Sequence, residues 1–344
     1  MGRVSENDGF MRIFCVHHLP GWLRSARLGI GLCLAGFGTA SAASLTMAVA
    51  RAPMSLPFYV ALQQGYFRDE GLDLIVADCL GVHRCLRQMQ EGRANFATAS
   101  DVLVAVNAFR GRNWRMLAAF ASSQDDLRLV VRNGKAISAP SQLVGLRVGI
   151  VPSTASQYFF DALLLNQDVD PHAVKQIPVQ PEDAAHQLAL GQLDAVAVGE
   201  PFATQALMAV GPAAAVLVDH SGYRPIFAVV SARLPGQPGT DQEVALLRGL
   251  DRAIAYIQRE PRKARETMRQ RLQLHPELAD RIFAGLQFRL NLDANLAKGL
   301  ESLGRWAVRE QHVQPGPQPD FSAVIDVEPL RRANPQAVAS GRQP

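Results

Sequence analysis

Between residues 45 and 230 short apolar or β-branched runs alternate with helix-patterned stretches, and this alternation restricts the fold more than any other feature of the chain. The strand-like runs fall at 45–50, 72–77, 96–99, 127–131, 147–151, 194–198, 215–218 and 226–230. Parallel strands need crossover connections, usually helices, so this order predicts an α/β fold with mostly parallel sheets. From Thr240 onward the pattern is helical throughout, over 242–258, 261–272, 276–286 and 294–311. After His312 a PGPQP segment and a polar end form a C-terminal tail, 313–344, that either wraps a surface or is disordered. A chain of 344 residues with 48% apolar side chains can bury at least one full core, and its length favours two domains.

The first 42 residues stand apart from this pattern. Arg24 and Arg27 precede a Gly-containing apolar run over 28–38, which leads into TASAAS. That is the layout of a secretory signal peptide: a positive n-region, an h-region short for a bilayer span, and an A-x-A site at Ala40, Ser41 and Ala42. Cleavage is expected after Ala42, giving a periplasmic protein, and a start at Met11 leaves the export reading unchanged. A retained membrane anchor is the competing reading. Cys33 lies inside the apolar run without the small residues expected before a lipidated cysteine, which speaks against lipoprotein processing.

Removing this segment takes four arginines and two acids from totals of 35 basic and 31 acidic residues, leaving 31 and 29. The slight basic excess is spread along the chain, denser only over 259–271, and no recognition motif accompanies it. It reads as solvated surface, and no nucleic-acid partner is expected. Of the four cysteines, Cys15 and Cys33 belong to the presequence, and Cys79 and Cys85 remain. An even pair in an oxidising compartment favours a disulfide, which would close a small loop around a turn at Gly81. A metal site would need more ligands, and only His83 is near; neither metal nor cofactor is expected.

Open parallel sheets bind ligands at the carboxyl ends of their strands, so the loops after those strands hold the candidate residues. In RAPMSLPFYVALQQGYF, Met54 and Ser55 precede a helix starting near Pro57; they line a site or simply start the helix. In NFATASDVLVA, Ser100 ends a strand and is placed to cap the next helix. The sharpest candidate is LVGLRVGIVPSTASQYFFDALLL, where Ser153 and Thr154 put hydroxyls and free backbone N–H groups at the positive end of a helix dipole. A sulfonate, carboxylate or phosphate fits such a place, while the absence of GxxxxGK[ST] excludes a P-loop. In GQLDAVAVGEPFA, Glu200 stands before a proline helix start, where it either accepts hydrogen bonds from a ligand N–H or complements its own helix dipole.

At these four places the sequence resembles the nitrate/sulfonate/taurine and thiamine-precursor (NMT1/THI5-like) group of ABC-transporter substrate-binding proteins. LPFYVALQQGYFRDEGLDL, EGRANFATAS, LVGLRVGIVPSTAS and GQLDAVAVGEPFA occur in that group's order and at similar spacing, and DFSAVID near Asp320 looks like its closing segment. The resemblance implies a type II periplasmic-binding-protein fold: lobe 1 at 44–127 plus 229–312, lobe 2 at 128–228, joined by two crossover strands near 127–131 and 226–230. It places a small-molecule solute between the lobes, contacted by Met54, Ser55, Ser100, Ser153, Thr154 and Glu200. It also implies a monomer that hands its solute to an ABC permease at the inner membrane. PMSLPF lacks a charged residue, VPST replaces a glycine-containing turn, and DCLGVHRC replaces a Gly-rich loop. These departures leave the substrate class open: a sulfonate or related organic anion leads, with a pyrimidine thiamine precursor or amine-bearing solute favoured if Glu200 makes the main polar contact.

An enzyme is not expected. A thiamine-precursor synthase resembles these proteins, but its chemistry goes with a cysteine-rich iron-binding motif that this chain lacks. The chain also has no G-x-S-x-G elbow, H-E-x-x-H helix or Cys–His nucleophile pair, and His172, His186 and His220 read as surface or capping residues. An exported ligand-sensing subunit is the remaining alternative.

Overall fold

The computed structural model describes residues 44–338, except 112, 133–135, 220, 234–236 and 294. The expected export segment with Ala40, Ser41 and Ala42, together with Cys15, Cys33 and His220, therefore lies outside the described residues.

The chain begins β1 (Leu45–Ala50), α1 (Leu56–Gln64), α2 (Tyr66–Asp69), β2 (Leu74–Cys79), α3 (Val82–Gln90), β3 (Phe96–Ser100), α4 (Asp101–Ala108) and β4 (Trp114–Ser123). It crosses through residues 124–126 into β5 (Leu127–Val131), β6 (Arg147–Ile150), α5 (Ala155–Leu165), β7 (Lys175–Pro178), α6 (Ala184–Ala189), β8 (Ala195–Gly199), α7 (Phe202–Val210) and β9 (Ala215–Val216). Residues 217–225 lead back to β10 (Ile226–Ala232), α8 (Thr240–Arg259), α9 (Pro261–Leu272), α10 (Pro276–Ala284), β11 (Leu286–Asn291), α11 (Leu296–Arg309) and α12 (Glu328–Ala333).

Two sheets result, ordered β11-β4-β10-β3-β1-β2 and β7-β6-β8-β5-β9. β1, β2, β3 and β4 share one direction in the first, with β10 and β11 opposed; in the second only β5 opposes the other four. The expected mostly parallel α/β fold is thus present, and each sheet is interrupted by an antiparallel strand adjoining a crossing segment.

A central strand buried on both faces reads as an unbroken apolar run in AVAVG of β8, while FATAS of β3 is equally buried with two hydroxyl residues in it. β4 is buried along nearly its whole length, yet WRMLAAFASS has no β-branched residue, and its alanines favour helix; this strand is absent from the sequence reading for that reason. β7, a short edge strand with mostly exposed residues, is absent too. The helical reading beyond Thr240 is corrected at β11, where LQFRLN alternates apolar and polar residues and pairs with β4. Leu286, assigned there to the end of a helix, begins this strand.

The segment after His312 runs over the six-stranded half. Val313, Phe321, Val324 and Leu330 are buried, Ile325 bridges Met116, and Arg233 binds Asp326 at 2.8 Å. No helix among the described residues is long and apolar enough to cross a membrane.

Candidate functional site

The strand ends of both sheets meet around one cavity. From the six-stranded half come Arg51 after β1, Val82 and His83 at the start of α3, and Ser100 between β3 and α4. From the five-stranded half come Thr154 and Ala155 at the start of α5, and Glu200 and Phe202 at the start of α7. Asp126 and Pro225 enter from the two crossing segments. Four helix starts thus face one space. Each points the positive end of its dipole at the cavity, although Ser100 and Asp101 at α4, Gln157 at α5 and Glu200 at α7 already accept N–H groups there. The remaining wall is largely apolar, including Ala50, Val151, Val198 and Phe227. An apolar cleft with a few convergent polar groups is the usual build of a small-molecule site.

Of the six sequence-derived site residues, the structure brings Ser100, Thr154 and Glu200 to the cavity wall. Met54 and Ser55 form a buried 3-10 turn that does not line it. Ser153 is half-buried and also off the wall, with φ 57° and its N–H donated to Gln157 Oε1 at 2.8 Å. The chain thus supplies its own acceptor at the helix start where an external anion was expected. Thr154 donates its hydroxyl to the Val151 carbonyl at 2.7 Å, and Ser100 Oγ accepts from Leu103 N–H at 3.3 Å as an N-cap.

Two carboxylates face the cavity under opposite conditions. Glu200, at 4% exposure, accepts from Thr204 N–H (3.1 Å), the Thr204 hydroxyl (3.0 Å) and Arg281 (3.5 Å), and Arg128 forms an ion pair with it at 3.3 Å. Three donors and two guanidinium charges already satisfy most of this carboxylate, whose two oxygens offer about four acceptor positions. Asp126, at 8% exposure, receives no side-chain hydrogen bond among the described residues. Burial, with the neighbouring Glu200 charge, pushes its carboxyl up to about 7, against the pull of Arg128.

Arg51 and Asp126 were not among the sequence candidates. Arg51 directly follows β1 and the strand-end rule points at it; Asp126 lies in the segment 124–126 between β4 and β5, beyond the carboxyl end of β4, whose composition hid the strand. Arg51 makes no ion pair or side-chain hydrogen bond among the described residues.

Cys79 and Cys85 form a disulfide with Cα atoms 5.5 Å apart, closing the loop that carries Gly81 and His83 to the cavity rim. Gly81 has φ 85°, a left-handed backbone suited to glycine. Next to it, Arg84 spans the mouth to Glu182 (2.6 Å) and Gln180 (3.0 Å) in the other half. Burial first, then Arg84 and Arg87, hold His83 below its ordinary pKa. Among the described residues no cluster of three or more His, Cys, Asp or Glu could hold a metal ion.

The alkanesulfonate-binding protein SsuA from Xanthomonas axonopodis pv. citri, solved bound to MOPS, superposes with a TM-score of 0.71 at 17% identity, covering 82% of this chain and 98% of that one. The periplasmic aliphatic sulphonate binding protein SsuA from Escherichia coli gives 0.69 at 14% identity, over 83% and 92%. The desulfurization enzyme DSZB gives 0.60 at 15% identity, over 85% and 99%. These likenesses establish the periplasmic-binding-protein fold. No curated protein matches the chain. The family model described as NMT1/THI5 like matches residues 52–264, well over half of the chain, and the protein belongs to the NMT1/THI5-like family.

Proposed function

We propose that this protein is the exported solute-binding component of an ABC importer, capturing a small organic anion between two lobes and delivering it to an inner-membrane permease. Lobe 1 is built on the six-stranded sheet and lobe 2 on the five-stranded sheet, with hinges at residues 124–126 and 217–225. The observation that carries this reading is the convergence of four helix starts and Arg51 on one largely apolar cavity. Together they supply N–H donors and positive potential where an anion's charge would sit, and apolar surface for its carbon skeleton. The family membership, and sulfonate binding by the two SsuA proteins, support the same class of solute.

The fold also occurs in a desulfurization enzyme, so capture rather than turnover is argued from the site. A serine or threonine nucleophile needs a base within hydrogen-bond reach. Here the Thr154 hydroxyl is given to a backbone carbonyl and Ser100 Oγ caps a helix.

Calorimetric titration of the mature protein with short alkanesulfonates and alkanecarboxylates tests the proposal. A dissociation constant of about 1 µM or tighter is expected for at least one of them, with the titrant recovered intact. Absence of binding across both series, or conversion of the titrant, would remove the reading.

A further inference from the structure

We infer that Asp126 carries a proton in the solute-bound protein and donates an O–H hydrogen bond to the captured anion, so that the site takes up its anion together with a proton from solvent. This rests on the anion-capture reading and adds a second, smaller ligand to it.

The charge arrangement of the cavity wall leads there. Asp126 is more than nine-tenths buried, lines the cavity, and receives no side-chain hydrogen bond among the described residues. An ionised carboxylate in that position lacks the donors that would offset its lost hydration. The groups around it do not supply them. Arg128, on β5, is paired with Glu200 at 3.3 Å and donates to the Asp125 carbonyl at 3.3 Å. Glu200, before α7, holds Thr204 and Arg281 as well, so both of these guanidinium groups are drawn to the other acid. Tyr223, in the returning segment, gives its hydroxyl to Asp101. Asp125 on its own segment is another acid, and Arg51 and His83 stand on the wall made by the six-stranded half. Gly199 keeps the carboxyl uncrowded: a Cβ there would stand 3.1 Å from Asp126 Oδ2, tighter than ordinary contact.

An anion entering beside an ionised Asp126 would meet a like charge in a low-dielectric site. One proton on that carboxyl removes the repulsion and turns the same oxygen into a donor for the anion, a short and strong class of hydrogen bond. Burial first, then the Glu200 charge, already bring this proton within reach, since they push the carboxyl up to about 7 against the pull of Arg128. The anion's own charge raises it further. Above about pH 7 the proton must therefore be taken from solvent as the anion binds, and affinity falls as pH rises.

Calorimetry of wild-type protein with ethane-, propane- and butanesulfonate tests this, because none of these probes titrates or carries nitrogen. Tris and triethanolamine serve as buffers, since neither is an anion and they differ in protonation enthalpy. For the probe that binds tightest, the dissociation constant is expected to rise at least about tenfold between pH 7 and pH 9, with proton uptake approaching one per anion. His83 is held below its ordinary value and Tyr223 well above its own, so neither titrates in this window. Asp126→Asn, which keeps a donor that does not ionise, should flatten the profile and bind more tightly than wild type at pH 9. A flat wild-type profile without proton uptake overturns the inference and leaves anion capture standing, and this arm decides even if the variant fails to fold. A slope that persists in Asp126→Asn overturns it as well. Binding of no probe at any pH, with none by the alkanecarboxylates, removes both readings.

Discussion

The two halves touch at the cavity mouth and again behind it, and the two contacts are built differently. At the mouth, Arg84 reaches Glu182 and Gln180 through side chains about one-third exposed. Behind it, the Trp306 indole of α11 donates to Asp161 of α5 at 2.9 Å, and Tyr158 packs edge-on against both Tyr223 and Trp306. Tyr223, in the returning crossing segment, donates its hydroxyl to Asp101 at 2.6 Å. An exposed ion pair is worth ~0.2–1 kcal/mol, whereas buried aromatic contacts and charge-assisted hydrogen bonds are each worth more. In the proposed capture cycle the mouth is the side that opens at small expense, and the aromatic cluster is the side about which the hinge turns.

The largest effect should come from Trp306→Ala, which empties a fully buried site and strips Asp161 of its indole donor. A loss of ~3–5 kcal/mol is expected in urea unfolding. A loss below ~1 kcal/mol would show that the rear contact is no stronger than the mouth.

Next is a pH dependence located at the rear. Burial pushes Asp101 up to about 7, against hydrogen bonds from Tyr223 and Val102. Burial likewise pushes Asp161 up to about 6, with Glu310 adding and Trp306, Gln176 and Arg309 opposing. A carboxyl raised in the folded state binds its proton there more tightly than in the unfolded chain. Its contribution is complete below the ordinary value of 3.8 and is lost as pH rises through about 7. His83 and His312, both held low, act oppositely as pH falls below 6.5, so the useful measurement is wild type minus variant. Asp101→Asn should flatten the decline in stability between pH 4 and 8 by roughly 2–4 kcal/mol in that difference. Parallel profiles for the two proteins would count against a rear contact set by Asp101.

The smallest effect on folding should come from Arg84→Ala, at about 1 kcal/mol or less by urea midpoint. Its larger consequence is expected in solute release, which stopped-flow dilution should show as several-fold faster. A destabilisation as large as that of Trp306→Ala would erase the distinction between the two sides.

Much of the frame was legible because strands such as β1, β3, β6 and β8 carry their own pattern, and the helices after them begin at recognisable hydroxyl or proline positions. β4 was not legible, since burial on both faces removes alternation and its residues favour helix. The site divides along the same line. Ser100 was read as a cap from its place before Asp101, and it does cap. Ser153 looked open to an anion until Gln157, four residues on, supplied an acceptor from the same helix. Glu200 looked free until Arg281, 81 residues away, and Arg128 came to rest on it.

The sequence by itself determined the strand-to-helix turns, because caps and helix starts are made by residues within about four positions of each other. Beyond residue 42 it also left only Cys79 and Cys85 to pair. The tertiary structure alone decided which turns share a cavity and which of two buried acids is neutralised. That choice depends on arginines from distant elements, and charge pairing acts through space, where separation along the chain carries no information.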